Sequence, residues 1–490
     1  MRKVKKLNVI VIGAGMAGIL AAIKLREAGD HVIVLEKADR IGGTWRDNRY
    51  LGLTCDVPAH AYTYSFAPNP EWSRYYAPGA EIQEYFESVV DKYGIRDTIQ
   101  FGVEVAQASW VDGGWTLETK DGKTYRADAV IAATGVLHHP RMPEIDGLAG
   151  FEGQAFHSAQ WRDGIELEGK KVSVIGSGST GVQLVSALAG VAAQVNHFQR
   201  SPQWIMPVED FAYTDEQREI FRNDPAAVDA IRFDEEYISN VRRFNDAIVD
   251  PESEAMGIIE GFCLQNLEAS IEDPVLREKL RPDYRAACKR LIYSPNYYQK
   301  VQLPGVEIVR DKIACVEPTG IRTQDGRLYE SDVIIFATGF HTDRFVRPIN
   351  IIGRHNVSLN DVWAVRPSAF LAISVPDFPN LFMLNGPTAP VGNFSLIDIA
   401  EAQWGYVDQL LVLIRQGDAD AVSAHSAAMA DYDKRRIAAA KKTIFASGCQ
   451  SWYLDAQGVP STWPWAYDKF FEAMEKPDLS AYDIRQEAGA

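Results

Sequence analysis

Near the start of the chain an apolar run, LNVIVI, leads into a glycine cluster, then a stretch of helical spacing, ILAAIKLREAG, then a second apolar run, HVIVLE. Short runs rich in Val and Ile that end at turn residues predict buried strands, and the longer periodic stretch predicts a helix. The same order of strand, glycine turn, helix and strand recurs in KKVSVIGSGSTGVQLVSALAGVAAQVNHFQRSPQW. Two more apolar runs stop at small-residue turns: ADAVIAATG, ending at Thr134 and Gly135, and SDVIIFATGF, ending at Gly339 and Phe340. Each has an aspartate near its start, Asp128 and Asp332. From about 208 to 288 charged and apolar residues alternate at helical spacing, with Pro225, Pro251 and Pro274 as breaks, which predicts a series of helices. In QWGYVDQLLVLIRQG a helical apolar face is expected to pack into the core. FEGQAFHSAQWRD, residues 151 to 163, has neither a clean strand period nor a clean helix period, yet it immediately precedes the second glycine loop.

The glycines narrow the reading. Gly13, Gly15 and Gly18 form Gly-x-Gly-x-x-Gly between strand and helix. The first permits a tight turn, the second lets backbone approach a pyrophosphate, and the third lets helix pack on strand. Glu36 closes the second strand, where a carboxylate can accept from ribose hydroxyls. Gly176, Gly178 and Gly181 repeat the motif, but Arg200 and Ser201 stand where the acid would be. That exchange favours a 2′-phosphate and hence NADP. Two different dinucleotides suggest an electron path from nicotinamide to flavin, so the expected cofactors are FAD and NADP. The fold class is therefore α/β, with two Rossmann-like dinucleotide-binding domains and a helical insertion. The expected FAD domain is discontinuous, residues 1–145 and 340–490; the NADP domain is 146–207 and 289–339; the helical insertion, 208–288, is expected to cover the active site.

Composition excludes other classes. Lys and Arg number 50 against 66 Asp and Glu, a net charge of -16, with no basic stripe, which disfavours a nucleic-acid partner. The five cysteines, Cys55, Cys263, Cys288, Cys315 and Cys449, form no Cys-x-x-Cys pair and no metal-ligand spacing, which suits a reducing cytoplasm and no metal. MRKVKK followed by an uncharged run has the outline of a signal peptide, but Gly13, Gly15 and Gly18 interrupt it at meaningful offsets, so it reads as structure. No uncharged run of about 20 apolar residues predicts a transmembrane segment. Tyr62, Tyr64 and Phe66 suit either an apolar substrate site or one packed face of an extended segment.

FEGQAFHSAQW matches the Phe-x-Gly-x-x-x-His-x-x-x-Trp fingerprint of the Baeyer-Villiger monooxygenases, within the class B flavoprotein monooxygenases, at Phe151, Gly153, His157 and Trp161. GGTWRDNRYLGLTCD resembles a second fingerprint of that family through Gly43, Trp45, Tyr50, Gly52 and Asp56. The similarity extends over nearly the whole chain, through FQRSPQW, CKRLIYSPNYY and GCQSWYLDAQG. Arg162 and Leu51 depart from the residues usual there.

The resemblance implies an oxidoreductase that uses FAD, NADPH and dioxygen to convert small apolar ketones to esters or lactones through a C4a-peroxyflavin, with sulfoxidation as a further activity. It implies that the 151–161 fingerprint is a hinge between the FAD and NADP domains, with His157 and Trp161 pinning their orientation. Arg290 matches the active-site arginine of the family, Asp56 would orient it, and both stand as the catalytic pair; a fixed cation favours the peroxyanion that attacks carbonyl carbon. Trp45 and Asp56 are expected at the flavin, Lys289 would join Arg200 at the 2′-phosphate, and residues 386 to 398 would bring backbone and a helix start to the flavin. Trp452, in CQSWYLD, reads as packing or as part of a loop near the cofactor. The nearest rival is a flavin-dependent N- or S-oxygenase, which lacks the Asp56–Arg290 pair. A flavin disulfide reductase needs a redox cysteine pair, and a non-enzymatic flavoprotein leaves Arg200, Lys289 and Arg290 unexplained. Neither the preferred ketone nor the oligomeric state is readable.

Overall fold

The computed structural model describes residues 4–392, 394–448 and 451–486. Two parallel five-stranded sheets organise it. The first has the order Leu381–Met383, Ala129–Ala132, Asn8–Ile12, His31–Glu36, Ile99–Phe101. The second runs Val306–Val309, Gln194–Phe198, Lys171–Ile175, Val333–Phe336, Gln154–His157. Central strands of parallel sheets are covered on both faces, so they read as continuous apolar runs, and Ala129–Ala132 and Val333–Phe336 are buried throughout. The two aspartates before these runs have matching roles. Asp128 Oδ2 accepts from the Asn8 amide at 2.7 Å, and Asp332 Oδ2 accepts from the Lys171 amide at 2.8 Å. Each ties its strand to the first residue of the strand that leads into a glycine loop.

The stretch that fitted neither period is a four-residue strand followed by a turn. Gln154–His157 is the outer strand of the second sheet, parallel to Val333–Phe336. A side chain at Gly153 would place its Cβ 2.4 Å from the Asp332 carbonyl oxygen, so only glycine permits this approach. His157 Nδ1 accepts from the Ala159 amide at 3.1 Å, which leaves Nε2 to donate to the Gly339 carbonyl at 2.9 Å. Trp161 packs edge-on against Phe156 and joins the core of the second sheet, while Phe151 borders the cluster of Ile175, Phe198 and Ile334. Gly339 lies where the chain leaves that sheet, and its carbonyl also accepts from Arg141 N at 2.9 Å. His341 N donates to the His139 carbonyl at 2.9 Å, so the two segments running between the sheets are bonded to each other beside His157.

Helices fill the predicted region: Asp215–Asn223, Pro225–Arg232, Glu235–Val249, Glu254–Ser270 and Pro274–Leu280. Pro225 and Pro274 occupy first helical positions, where a missing N–H costs nothing. Phe221, Val228 and Val241 are buried in the core beneath the first sheet, and Arg232 reaches the Thr63 carbonyl at 3.0 Å and Asp398 at 2.9 Å. The long apolar stretch is the helix Leu396–Gln416, whose face Ile399, Gln403, Val407, Leu410 and Ile414 is buried. Tyr64 and Phe66 stack at 5.1 Å in a packed cluster with Tyr85 and Phe86, so for these two the packing reading holds. Among the described residues no helix is long and apolar enough to cross a membrane. Cys55, Cys263 and Cys315 are free thiols; Cys288 is disulfide-bonded, a state that a reducing compartment does not favour, and Cys449 lies outside the described residues.

Candidate functional site

The six motif glycines fall into two kinds. Gly13 has φ +100° and its Cβ would lie 2.7 Å from the Ala133 oxygen; Gly176 has φ +119° and its Cβ would lie 2.2 Å from the Ala337 oxygen. A Cβ at Gly18 or Gly181 would stand 1.9 or 2.0 Å from the carbonyl oxygen of the first glycine of its own loop. These four are explained by protein packing alone. Gly15 would meet only the Gly43 backbone, at 3.6 Å, and Gly178 would meet nothing within 4 Å. Protein packing does not account for the middle glycines, which leave room beside the backbone. Each caps a helix that has no side-chain cap, Met16–Glu27 or Ser179–Leu188, so its first N–H groups are left for an anion. On this test both loops fit a dinucleotide pyrophosphate.

At the first loop Glu36 is buried and already well used. Its Oε2 accepts from the Ala14 amide at 2.8 Å, and its Oε1 accepts from the Ala38 amide at 2.9 Å and from Arg46 at 3.0 Å. One acceptor position on Oε2 is left for a ribose hydroxyl. Arg46, 6% exposed, also binds both carboxylate oxygens of Asp47 and the Arg40 carbonyl. Sequence reasoning missed it. The signal was available, because a carboxylate buried at the end of a strand needs a compensating donor, and Arg46 follows Trp45 directly. Trp45 donates from Nε1 to the Tyr62 hydroxyl at 3.1 Å.

At the second loop Lys289 Nζ donates to the Ser201 hydroxyl at 2.7 Å and lies 4.2 Å above the Tyr284 ring. Burial, and then the positive charge of Arg200, hold the Lys289 amine below its ordinary pKa. Arg200 itself is exposed. Adjacent Arg200 and Ser201 and the distant Lys289 thus form a cluster of two cations and a hydroxyl suited to a phosphate monoester.

Asp56 and Arg290, 234 residues apart, meet in a forked pair. Arg290 Nη2 lies 2.8 Å from both Asp56 oxygens, Nε lies 3.1 Å from Oδ2, and Nη1 donates to the Gly392 carbonyl at 2.9 Å. Burial opposes the guanidinium charge, but Asp56 outweighs it and raises the pKa above the usual arginine value, so the cation is permanent. Gly392, which the sequence did not single out, belongs to the 386–398 segment, of which Asn393 lies outside the described residues. The helix Leu396–Gln416 starts in that segment with Ser395 as its cap.

The first two glycines of each loop, Glu36, Arg200, Ser201 and the Asp56–Arg290 pair line one cavity of ≈ 1680 Å³, which also reaches Lys289, Gly392 and Trp452. This exceeds a typical single-ligand pocket, about 300–1,000 Å³, and suits more than one occupant. Trp452 is 38% exposed, stacks on Tyr453 at 4.5 Å and accepts at its carbonyl from Thr342 in the second inter-sheet segment. The second fingerprint lies between the sheets. Tyr50, 6% exposed, is part of the core of the second sheet, while Cys55 and Val57 pack in the core of the first. Among the fingerprint residues, His157 and Trp161 do not line the cavity.

Comparison with known proteins agrees with this geometry. The pyridine nucleotide-disulphide oxidoreductase family matches residues 10–220. An uncharacterized monooxygenase of Mycobacterium bovis is 43% identical over 98% of this chain and 97% of its own. Two proteins named Baeyer-Villiger monooxygenase, from Streptomyces coelicolor and Pseudomonas aeruginosa, are 36% and 33% identical, over 99% and 97% of this chain and 93% and 91% of theirs. Among solved structures, cyclohexanone monooxygenase from Rhodococcus bound to NADP+ superposes with a TM-score of 0.86 at 30% identity, covering 99% of this chain and 100% of that one. With both dinucleotide loops, the forked Asp56–Arg290 pair and full-length similarity in agreement, the chain belongs to the Baeyer-Villiger monooxygenase family of flavoproteins.

Proposed function

We propose that this protein is an FAD-dependent monooxygenase that uses NADPH and dioxygen to convert ketones to esters or lactones. One oxygen atom enters the bond between the carbonyl carbon and its neighbour; the other leaves as water, with both electrons drawn from NADPH. The observation that carries the reading is the forked Asp56–Arg290 pair in the cavity that both glycine loops line. Bound FAD supplies the oxygen activation and NADPH the reducing equivalents.

The chain's own residues supply the rest. Gly13, Gly15, Gly18 and Glu36 hold the adenosine half of FAD, with Trp45 beside the flavin-binding turn. Gly176, Gly178 and Gly181 hold the NADP pyrophosphate, and Arg200, Ser201 and Lys289 bind its 2′-phosphate. Arg290 is the catalytic cation: it stays protonated and offers donors toward negative charge that develops during oxygen transfer, while Asp56 fixes its orientation. His157 and Trp161 act at a distance, by setting how the two sheets meet. The divisions 1–145 with 340–490, 146–207 with 289–339, and 208–288 remain our reading of the domains; in the last division the helices Asp215–Asn223, Pro225–Arg232 and Glu235–Val249 pack on the first sheet's core, while Glu254–Ser270 and Pro274–Leu280 pack partly on the second's. Relatives named for cyclohexanone and steroids support a ketone as substrate, small and apolar in our reading. Use of NADPH, an intracellular reductant, supports a cytoplasmic site of action.

The test is product analysis by mass spectrometry after aerobic incubation with FAD, NADPH and a panel of ketones and sulfides. Ester or lactone is expected. Sulfoxide without any ester would refute the assignment in favour of heteroatom oxygenation.

A further inference from the structure

The helix Ser179–Leu188 does more than present its N-terminus. One turn in, Gln183 reaches across to the second fingerprint. Its Oε1 accepts from the Tyr50 hydroxyl at 2.8 Å, and its Nε2 donates to the Thr54 carbonyl at 3.1 Å and to the Thr54 hydroxyl at 3.2 Å. Gln183 thus uses both ends of its amide on one loop. Four residues on, on the same helix face, Ala187 completes the contact: a Cβ at Gly52 would lie 2.8 Å from the Ala187 Cβ and 2.9 Å from the Gln183 carbonyl oxygen. Gly52 has φ +81°, so glycine is required there twice over, for conformation and for space. Tyr50 and Leu53 extend the grip by packing into the core of the second sheet.

The far end of that loop carries Asp56. Thr54 is two residues before it, and Cys55 N is bonded to the Ala77 carbonyl at 3.0 Å, so the short path from Thr54 to Asp56 is held on the first sheet's side. A rigid helix therefore joins two things: its N-terminus, where the NADP pyrophosphate would sit, and, through Gln183, the loop that positions the partner of Arg290. We propose that Gln183 is a positioning residue that couples occupancy of the NADP loop to the placement of the Asp56–Arg290 pair. When the helix settles on the dinucleotide, the Gln183 amide carries the 50–54 loop with it, and Asp56 with the loop. This rests on the cofactor assignment above and goes beyond it: Gln183, Tyr50 and Thr54 line the cavity, and the role assigned to Gln183 is to hold the loop that carries Asp56.

Backbone hydrogen exchange of the full-length, FAD-loaded protein, read by mass spectrometry over residues 50–57 with and without NADP+, tests the coupling independently of turnover. In wild type NADP+ slows exchange there by about tenfold, as expected for one or two hydrogen bonds made firm. Gln183→Met keeps the volume and loses the amide, so this protection is expected to vanish while the melting temperature and FAD content stay at wild-type values. Tyr50→Phe, which removes one of the three bonds, is expected to lose part of the protection. Arg49→Ala, which removes only an exposed ion pair to Asp163 between the same two regions, keeps it. A second readout is the share of NADPH electrons that end as hydrogen peroxide rather than product, which rises in Gln183→Met. Full NADP+ protection in Gln183→Met, no protection in wild type, or equal loss in Arg49→Ala would each overturn the proposal. If Gln183→Met does not fold, Tyr50→Phe alone decides it, with unchanged protection counting against. Absence of ester from wild-type enzyme would instead sink the functional assignment and leave the exchange result standing.

Discussion

Gly178 and Gly181 are three residues apart in one motif, and the structure predicts opposite consequences for the same substitution. Gly178 has φ -69° and ψ -173°, an extended conformation any residue adopts, and a Cβ there meets nothing within 4 Å. For the protein alone, Gly178→Ala restricts the unfolded chain, a gain of about 0.4–1 kcal/mol, against a similar loss at an N-cap position, where alanine is disfavoured. Stability should stay within about 1 kcal/mol of wild type, a melting shift of no more than roughly 3 °C. On the proposed cofactor assignment, the methyl group would stand where the pyrophosphate approaches the backbone. Loss of one hydrogen bond to a charged group costs about 1.5–3 kcal/mol, or roughly 10- to 150-fold in affinity for NADPH. Gly181→Ala is the converse. Its Cβ would lie 2.0 Å from the Gly176 oxygen and 3.4 Å from His197 Nε2, so backbone must shift, at about 1–3 kcal/mol or more. The assay pairs thermal unfolding with the KM for NADPH from its absorbance during oxidation, with flavin content as control. If Gly178→Ala binds NADPH as wild type does, or melts as early as Gly181→Ala, the assignment of the second loop to a pyrophosphate is wrong.

Arg290→Ala should lower ester formation by at least about 10²-fold, the range for removing a donor aimed at developing charge, with FAD content and the KM for NADPH little changed; retained ketone oxidation would remove Arg290 from the chemistry. Lys289→Ala should raise the KM for NADPH by about tenfold or more and leave that for NADH nearly unaltered, since a charge-assisted contact to the 2′-phosphate is lost; an equal rise for both would place Lys289 elsewhere. Acid should destabilise the fold through His60, His138 and His197, whose pKa values burial lowers to about 4. Each is neutral when folded and binds a proton more readily when unfolded, so its contribution is complete above about pH 6.5 and is lost as pH falls toward 4. A melting temperature that is flat between pH 7 and 4 would contradict this.

How much of this was legible beforehand differs by feature. The glycine motifs, Glu36 and the exchange to Arg200 and Ser201 were plain in the sequence, because backbone conformation, close approach and a terminal charge are local demands that each restrict the residue type at one position. The helices between 215 and 280 were likewise visible, since amphipathic period and proline placement are local. The 151–161 stretch resisted, because its strand spans only Gln154–His157, too short to show a period. Its glycine is explained by Asp332 and its histidine by Gly339, both about 180 residues away in sequence.

The sequence by itself therefore determined the fold class, the two dinucleotide loops and the residue types for charge recognition, since these follow from short-range sterics and periodicity. Tertiary structure alone decided which of those residues meet. It brought Arg290 onto Asp56 and Gly392, Lys289 onto Ser201, Arg46 onto Glu36 and Gln183 onto Tyr50 and Thr54. Such pairings depend on how two sheets dock, and that involves the packing of Tyr50, Gly52 and Leu53 against a distant helix and core as well as the His157 contact to Gly339, which no window along the chain contains. The same physics separates the two kinds of glycine. The motif pattern marks all six alike, and only the space around each shows that four are confined by the protein itself while Gly15 and Gly178 have room beside them.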